Sequence, residues 1–139
     1  MMDIPNIERA FVRNFIRRER RERSIHKLQH KTKRTDFLDK FNHSWSDMLI
    51  EKKLISVNVK SDRDTFLFLK ERLHWEDSDL CYVISYWDSD RQLLPFREAF
   101  EECQSNGYAG LLVGKEGKCF YLKTEQVKGA PERFIGISN

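Results

Sequence analysis

The residues best placed to do chemistry in this chain are cations. From Arg9 to Arg34 it reads RAFVRNFIRRERRERSIHKLQHKTKR, eleven Lys and Arg against two acids, Glu19 and Glu22. At about 100° per residue on a helical wheel, Arg9, Arg13, Arg17, Arg20, Arg21, Arg23, Lys27 and Lys31 share one sector of roughly 160°. Ile7, Ala10, Phe11, Phe15, Ile25 and Leu28 take the opposite sector, and Glu8, Glu19 and Glu22 fall at the border. Arg18 alone lands among the apolar residues, where its stem must snorkel. A face of this kind is the electrostatic footprint of a polyanion binder. Five or six phosphate contacts would give log K a slope of about −5 against log[salt]. The plainer reading is a solvated helix whose arginines pair with the chain's own acids, at ~0–1 kcal/mol each. Insertion into an anionic membrane is disfavoured, because residues 17–23 include no apolar side chain.

Two further patterns suggest metal chemistry. Asp88 and Asp90 follow an apolar run, and Glu116-Gly117-Lys118 lies farther on. An Asp beside a Glu-x-Lys can hold Mg²⁺ through the carboxylates while the Lys stabilises developing charge, as a phosphodiesterase or nuclease requires. Against this, Glu116 sits on a glycine-flanked hairpin tip, a poorly preorganised place for a ligand. Asp and Ser also make turns by bonding their own backbone. His26 and His30 stand at i, i+4, a spacing that can place two imidazoles on one metal. No Glu follows His26, however, and the surrounding positive charge repels a cation.

Other candidates are excluded by position. Cys81, Cys103 and Cys119 form no C-x-x-C pair and fall on core-facing positions, where burial raises a thiol's pKa. Gly107, Gly110, Gly114 and Gly117 read as hairpin glycines rather than a phosphate loop. Tyr82, Tyr86, Trp87 and Tyr108 could stack on bases, although aromatic residues in strands usually fill cores. No catalytic residue, cofactor or small-molecule ligand is predicted.

The elements that must position these residues follow from periodicity. Pro5, with Asp3 or Asn6 as cap, opens a helix that continues to Gln29, about 35 Å long. A second helix begins near Thr35 or Asp36, buries Phe37, Phe41, Trp45 and Met48 or Leu49, and ends near Lys52 and Lys53. Residues 54–60 alternate as a strand. Ser61 then caps a helix with Phe66, Leu69 and Leu73 on one face. The continuous apolar run 80–87 is expected of a central strand covered on both faces. Pro95 opens a helix with Phe96, Ala99, Phe100 and Cys103 inward, and Asn106-Gly107 closes it. Strands at 108–113 and 119–123 form a hairpin, and a last strand spans 133–137.

The fold class is therefore α+β: two helices, then β-α-β-α-β-β-β, in a mixed sheet covered by helices. The helical crossovers imply parallel pairing of the first three strands. Residues 1–53 form a basic helical arm expected to pack on a body at 54–139, one structural domain overall. Fourteen Lys and Arg against eight acids give residues 1–53 a net +6, while the remainder carries −3. With no signal-like or membrane-length apolar run, a cytoplasmic location is expected. The best functional reading is a small non-catalytic binding or regulatory protein docking nucleic acid or an acidic protein surface. The alternatives are the metal-dependent phosphodiesterase and self-association through the basic helix.

Overall fold

The computed structural model describes residues 3–125 and 132–138. Helix α1 spans Ile4–Phe15, with the Asp3 side chain accepting from the Asn6 N–H at 3.0 Å. It buries Ile7, Phe11, Val12 and Phe15. The single long helix expected to Gln29 does not form. Ile16 is extended and Arg17 is non-helical, and Ile16 makes an isolated antiparallel bridge to Leu49. There Arg17 N donates to Met48 O at 2.8 Å and Ile50 N to Phe15 O at 2.9 Å. The physical reason lies in residues 17–23, which offer nothing apolar to bury. A straight helix would hold Leu28 about 25 Å from Phe11. The break lets a 3₁₀ turn, Arg18–Arg20, lead into α2 (Arg21–Gln29), which doubles back along α1. Leu28 thereby joins the core that holds Ile7 and Phe11.

Helix α3 spans Arg34–Met48 and is kinked at Ser44. It stops short of Lys52 because Leu49 belongs to the bridge, and Glu51–Lys53 form a second 3₁₀ turn. Strand β1 (Leu54–Ser56) is shorter than its alternating pattern. Helix α4 (Asp62–Leu73) is capped by Ser61, whose Oγ accepts from Asp64 N at 3.0 Å. Strand β2 (Leu80–Ile84) is followed by β3 (Leu93–Pro95), a short strand not anticipated in the sequence. Helix α5 (Phe96–Gln104), strands β4 (Gly110–Gly114) and β5 (Cys119–Lys123), and strand β6 (Arg133–Ile137) complete the order.

The six strands lie in the order β1-β6-β5-β4-β2-β3, and every neighbouring pair is antiparallel. The α+β class stands, but the parallel pairing expected from the crossovers does not. After β2 the chain turns straight back into β3, so α5 leaves from a strand of reversed direction and delivers β4 antiparallel to β2. Helix α4 carries the chain from β1 at one edge to β2 at the far side, so those two strands never touch.

Alternation along the strands builds two cores. Tyr82, Ile84, Leu111, Val113, Phe120 and Leu122 face α1, α2 and α3. Cys81, Val83, Leu112, Tyr121 and Ile135 face α4 and α5. This double cover explains why β2 reads as an unbroken apolar run. The basic N-terminal helices are thus one whole layer of the fold. The β4–β5 hairpin tip is also docked rather than free. Gly117, at φ +72°, lies so close to α1 that a Cβ there would meet Ala10 Cβ at 2.7 Å and Phe11 N at 2.8 Å. Asn14 Nδ2 donates to Gly117 O at 3.1 Å.

Candidate polyanion-binding cleft

The helical break redistributes the basic face. A cleft of about 460 Å³ opens between α2 and α3, with Arg17, Arg20, Arg23, Lys27 and Lys40 on its sides and Ser24, Phe37 and Met48 below. Glu19, Glu22 and Asp47 also line it, leaving a surplus of two positive charges. Among the described residues, Arg20, Arg23, Lys27 and Lys40 form no ion pair, and Arg17 reaches only Glu51, at 3.9 Å. Lys40, on α3, is a member that the wheel of the first helix could not include.

The eight cations of the sequence reading divide by role. Arg17 spends its guanidinium on the end of α3, Nε donating to Leu49 O at 3.1 Å and Nη2 to Ser46 O at 3.0 Å. These are C-terminal carbonyls without helical partners, and a cation suits them. Arg21 Nε donates to Ile16 O at 2.9 Å, closing the break. Arg9 donates to Asn6 Oδ1 at 2.9 Å on α1. Arg13 and Lys31 are exposed. Only Arg20, Arg23 and Lys27, with Lys40, are left with their charge turned to the cleft.

The most completely satisfied cation among the described residues is one that lies between the two helices expected from the sequence. Arg34 is 3% exposed. Its Nε and Nη2 donate to Asp90 Oδ2 and Oδ1 at 2.8 and 2.7 Å, a bidentate pair. Its Nη1 donates to Glu8 Oε2 at 2.8 Å and to Leu28 O at 2.9 Å. Tyr82 Oη donates to the same Glu8 oxygen at 2.5 Å. Burial works against the Arg34 charge, yet the bonds to Asp90 hold the guanidinium above its ordinary range. Burial also pushes the Tyr82 hydroxyl well above the usual tyrosine range, keeping the proton it donates. No local pattern announces this cluster, because Glu8 and Asp90 lie 26 and 56 residues from Arg34. The available clue was Glu8 itself, a lone acid on the flank of an apolar helix face.

The cluster removes Asp90 from the proposed metal set. Register separates that set further. Leu111 pairs with Ile84 at the end of β2 that leads to Asp88 and Asp90, whereas Gly114, leading to Glu116 and Lys118, pairs with Cys81 at the other end. Asp88, Glu116 and Lys118 are exposed at opposite ends of the sheet, so the constellation for phosphodiester cleavage is not assembled. Among the described residues no group of three or more His, Cys, Asp or Glu is placed to hold a metal. His26 and His30 do come together, ring centroids 5.4 Å apart. His30 Nδ1, however, accepts from Thr32 N and Lys33 N at 3.2 and 3.3 Å, which assigns it to the turn before α3.

Elsewhere the acids act locally. Asp79 Oδ2 accepts from Glu76 N at 2.8 Å, and Asp77 pairs with Lys70 and Arg97. The three cysteines are free thiols. Burial pushes Cys103 up to about 12 and Cys119 up to about 11, and raises Cys81 farther, so none is an activated nucleophile. Tyr82 is buried, while Tyr86 and Tyr108 are exposed and tilted against each other, centroids 5.2 Å apart. Among the described residues no helix is long and apolar enough to cross a membrane. No protein-family model, curated protein or solved structure matches the chain.

Proposed function

We propose that the protein binds nucleic acid, or a polyanion of like charge density, through the cleft between α2 and α3, and that it is not an enzyme. The observation that carries this reading is the contrast in pairing. Arg20, Arg23, Lys27 and Lys40 surround one cleft without an ion-pair partner among the described residues, while Arg34, Arg17 and Arg21 are spent on the fold. Phosphate oxygens would satisfy the four cleft cations, and release of condensed counterions would drive association.

Four cations in place of the five or six contacts expected from the sequence lower the salt slope to about −3.5 on duplex and about −3 on single strands. Gel-shift titration of the intact protein should therefore show affinity falling about 100-fold between 50 and 200 mM salt. The combined substitution Arg20→Glu, Arg23→Glu and Lys27→Glu should abolish that binding, and Asp47→Asn should tighten it. Absence of binding at 50 mM salt rejects the proposal. Retention of binding by the triple variant moves the site elsewhere. A concentration-dependent dimer in light scattering that the triple variant dissociates would replace the proposal with self-association.

A further inference from the structure

A second pocket, of about 350 Å³, lies at the other end of the helical layer, where α1 and α2 meet the turn between β2 and β3. Its walls are Ile4, Pro5 and Leu28, its rim carries Arg9, Gln29 and Arg91, and Glu8 and Tyr82 form its floor. Glu8 is a charged side chain only 3% exposed. Its Oε2 takes the bonds from both Arg34 and Tyr82, whereas no donor among the described residues reaches Oε1. A carboxylate offers about four lone-pair sites, so Glu8 keeps accepting capacity where it lines the pocket. The buried cluster behind it holds one cation, Arg34, against two carboxylates, Glu8 and Asp90. Its surplus negative charge, little screened at this depth, favours a positive group at the floor.

The rim has the opposite sign. Arg9 and Arg91 contact only neutral oxygens, Asn6 Oδ1 and His30 O at 3.3 Å, and no carboxylate among the described residues. Arg91 is moreover held at φ +70°, a backbone conformation that L side chains seldom adopt. From these features we infer that the pocket binds an amino-acid-sized zwitterion, its ammonium donating to Glu8 Oε1 and its carboxylate received by Arg9 and Arg91. Ile4, Pro5 and Leu28 take an apolar side chain, and the volume is at the small end of ligand pockets.

The probes are L-leucine, N-acetyl-L-leucine, L-leucinamide and the dipeptide leucyl-glycine, added to the intact protein and followed by melting temperature and by NMR shifts of α1 amides. L-Leucine at saturating concentration should raise the melting temperature by about 2–4 °C. N-acetyl-L-leucine and L-leucinamide, each lacking one charge, should bind at least about tenfold more weakly. A stronger response to leucyl-glycine would identify a dipeptide rather than a free amino acid as the zwitterion. Arg91→Gly relaxes a left-handed position, so this variant should fold and bind L-leucine about 10- to 100-fold more weakly. No response to L-leucine or the dipeptide, an equal response to the N-acetyl compound, or unchanged binding by Arg91→Gly would each overturn the inference. None of these outcomes touches the nucleic-acid proposal, whose gel shift involves a different cleft.

Discussion

Arg34 and Arg23 stand eleven positions apart in one basic stretch, and they occupy opposite extremes of what a guanidinium can do. Arg34 is enclosed, with four donor contacts answered by two carboxylates and a carbonyl. Arg23 is exposed over a cleft and has no ion-pair partner among the described residues. The first ties α1 and α3 to the turn after β2. The second adds to a field that only a partner can neutralise. Charge counting treats the two alike. Burial and pairing separate them, and with them structure from binding.

The widest gap should appear in stability. Arg34→Met leaves the buried Glu8 and the partly buried Asp90 without their cation and should cost about 3–5 kcal/mol in urea unfolding. Arg23→Met should stay within about 0.5 kcal/mol of the parent. Equal effects of the two would break the comparison. Arg17 gives an intermediate point, half-exposed but bonded to two helix-end carbonyls. Arg17→Ala should cost about 1–2 kcal/mol, and a value as small as that of Arg23→Met would make those bonds incidental.

A pH series sharpens the same contrast for groups taken out of water. Burial raises Cys103 to about 12 from an ordinary 9.0, and Cys119 to about 11. Between those limits the folded state holds protons that the unfolded chain has released, so stability is complete below pH 9 and declines as pH rises toward 12. Lys123 opposes this trend. Its ammonium is buried against Cys103 O and Asn106 O, and burial holds its pKa below the lysine range. The folded lysine therefore gives up its proton before the unfolded one, so its contribution to stability grows with pH up to the ordinary 10.5 and is level above it. Cys103→Ser should flatten the alkaline decline in melting temperature, and Lys123→Met should steepen it. Acid acts on exposed pairs instead. Hydrogen bonding from Lys70, supported by Arg97, holds the Asp77 carboxyl below its ordinary value, so its contribution is present above pH 4 and is lost as pH falls.

The smallest effect concerns salt. Raising it from 50 to 200 mM screens the mutual repulsion of Arg20, Arg23, Lys27 and Lys40. The parent should gain a few tenths of a kcal/mol, and a variant carrying neutral Arg20→Gln, Arg23→Gln and Lys27→Gln together should not. Equal gains would mean that the cleft cations do not feel one another.

What could be read from residues alone was whatever depends on near neighbours. Phe37 and Phe41 four apart, the apolar run through Tyr82 and Val83, the inward set Phe96, Ala99, Phe100 and Cys103, and the glycine-flanked hairpin all appear where periodicity puts them. What escaped depends on distant partners. The helix wheel joined Phe15 to Ile25 across a segment that bends because Ile16 pairs with Leu49, a residue 33 positions on. Strand direction turned on β3, three residues long and too short to carry a period. Asp90 looked like a free turn carboxylate because nothing near it names Arg34. Half of the cleft was legible as a sign of charge. Its shape, and the recruitment of Lys40, were not.

The place of β6 has a consequence for synthesis. It lies between β1 and β5, with Ile135 opposite Ile55 on one side and Tyr121 on the other. As the chain leaves the ribosome, β1 emerges roughly eighty residues ahead of the strand it must pair with, several seconds at ordinary elongation rates. During that interval its edge is open to any other nascent strand. With only three residues, Leu54–Ser56, β1 offers such a stranger almost nothing to hold. A longer strand would make a firmer sheet and a more dangerous wait.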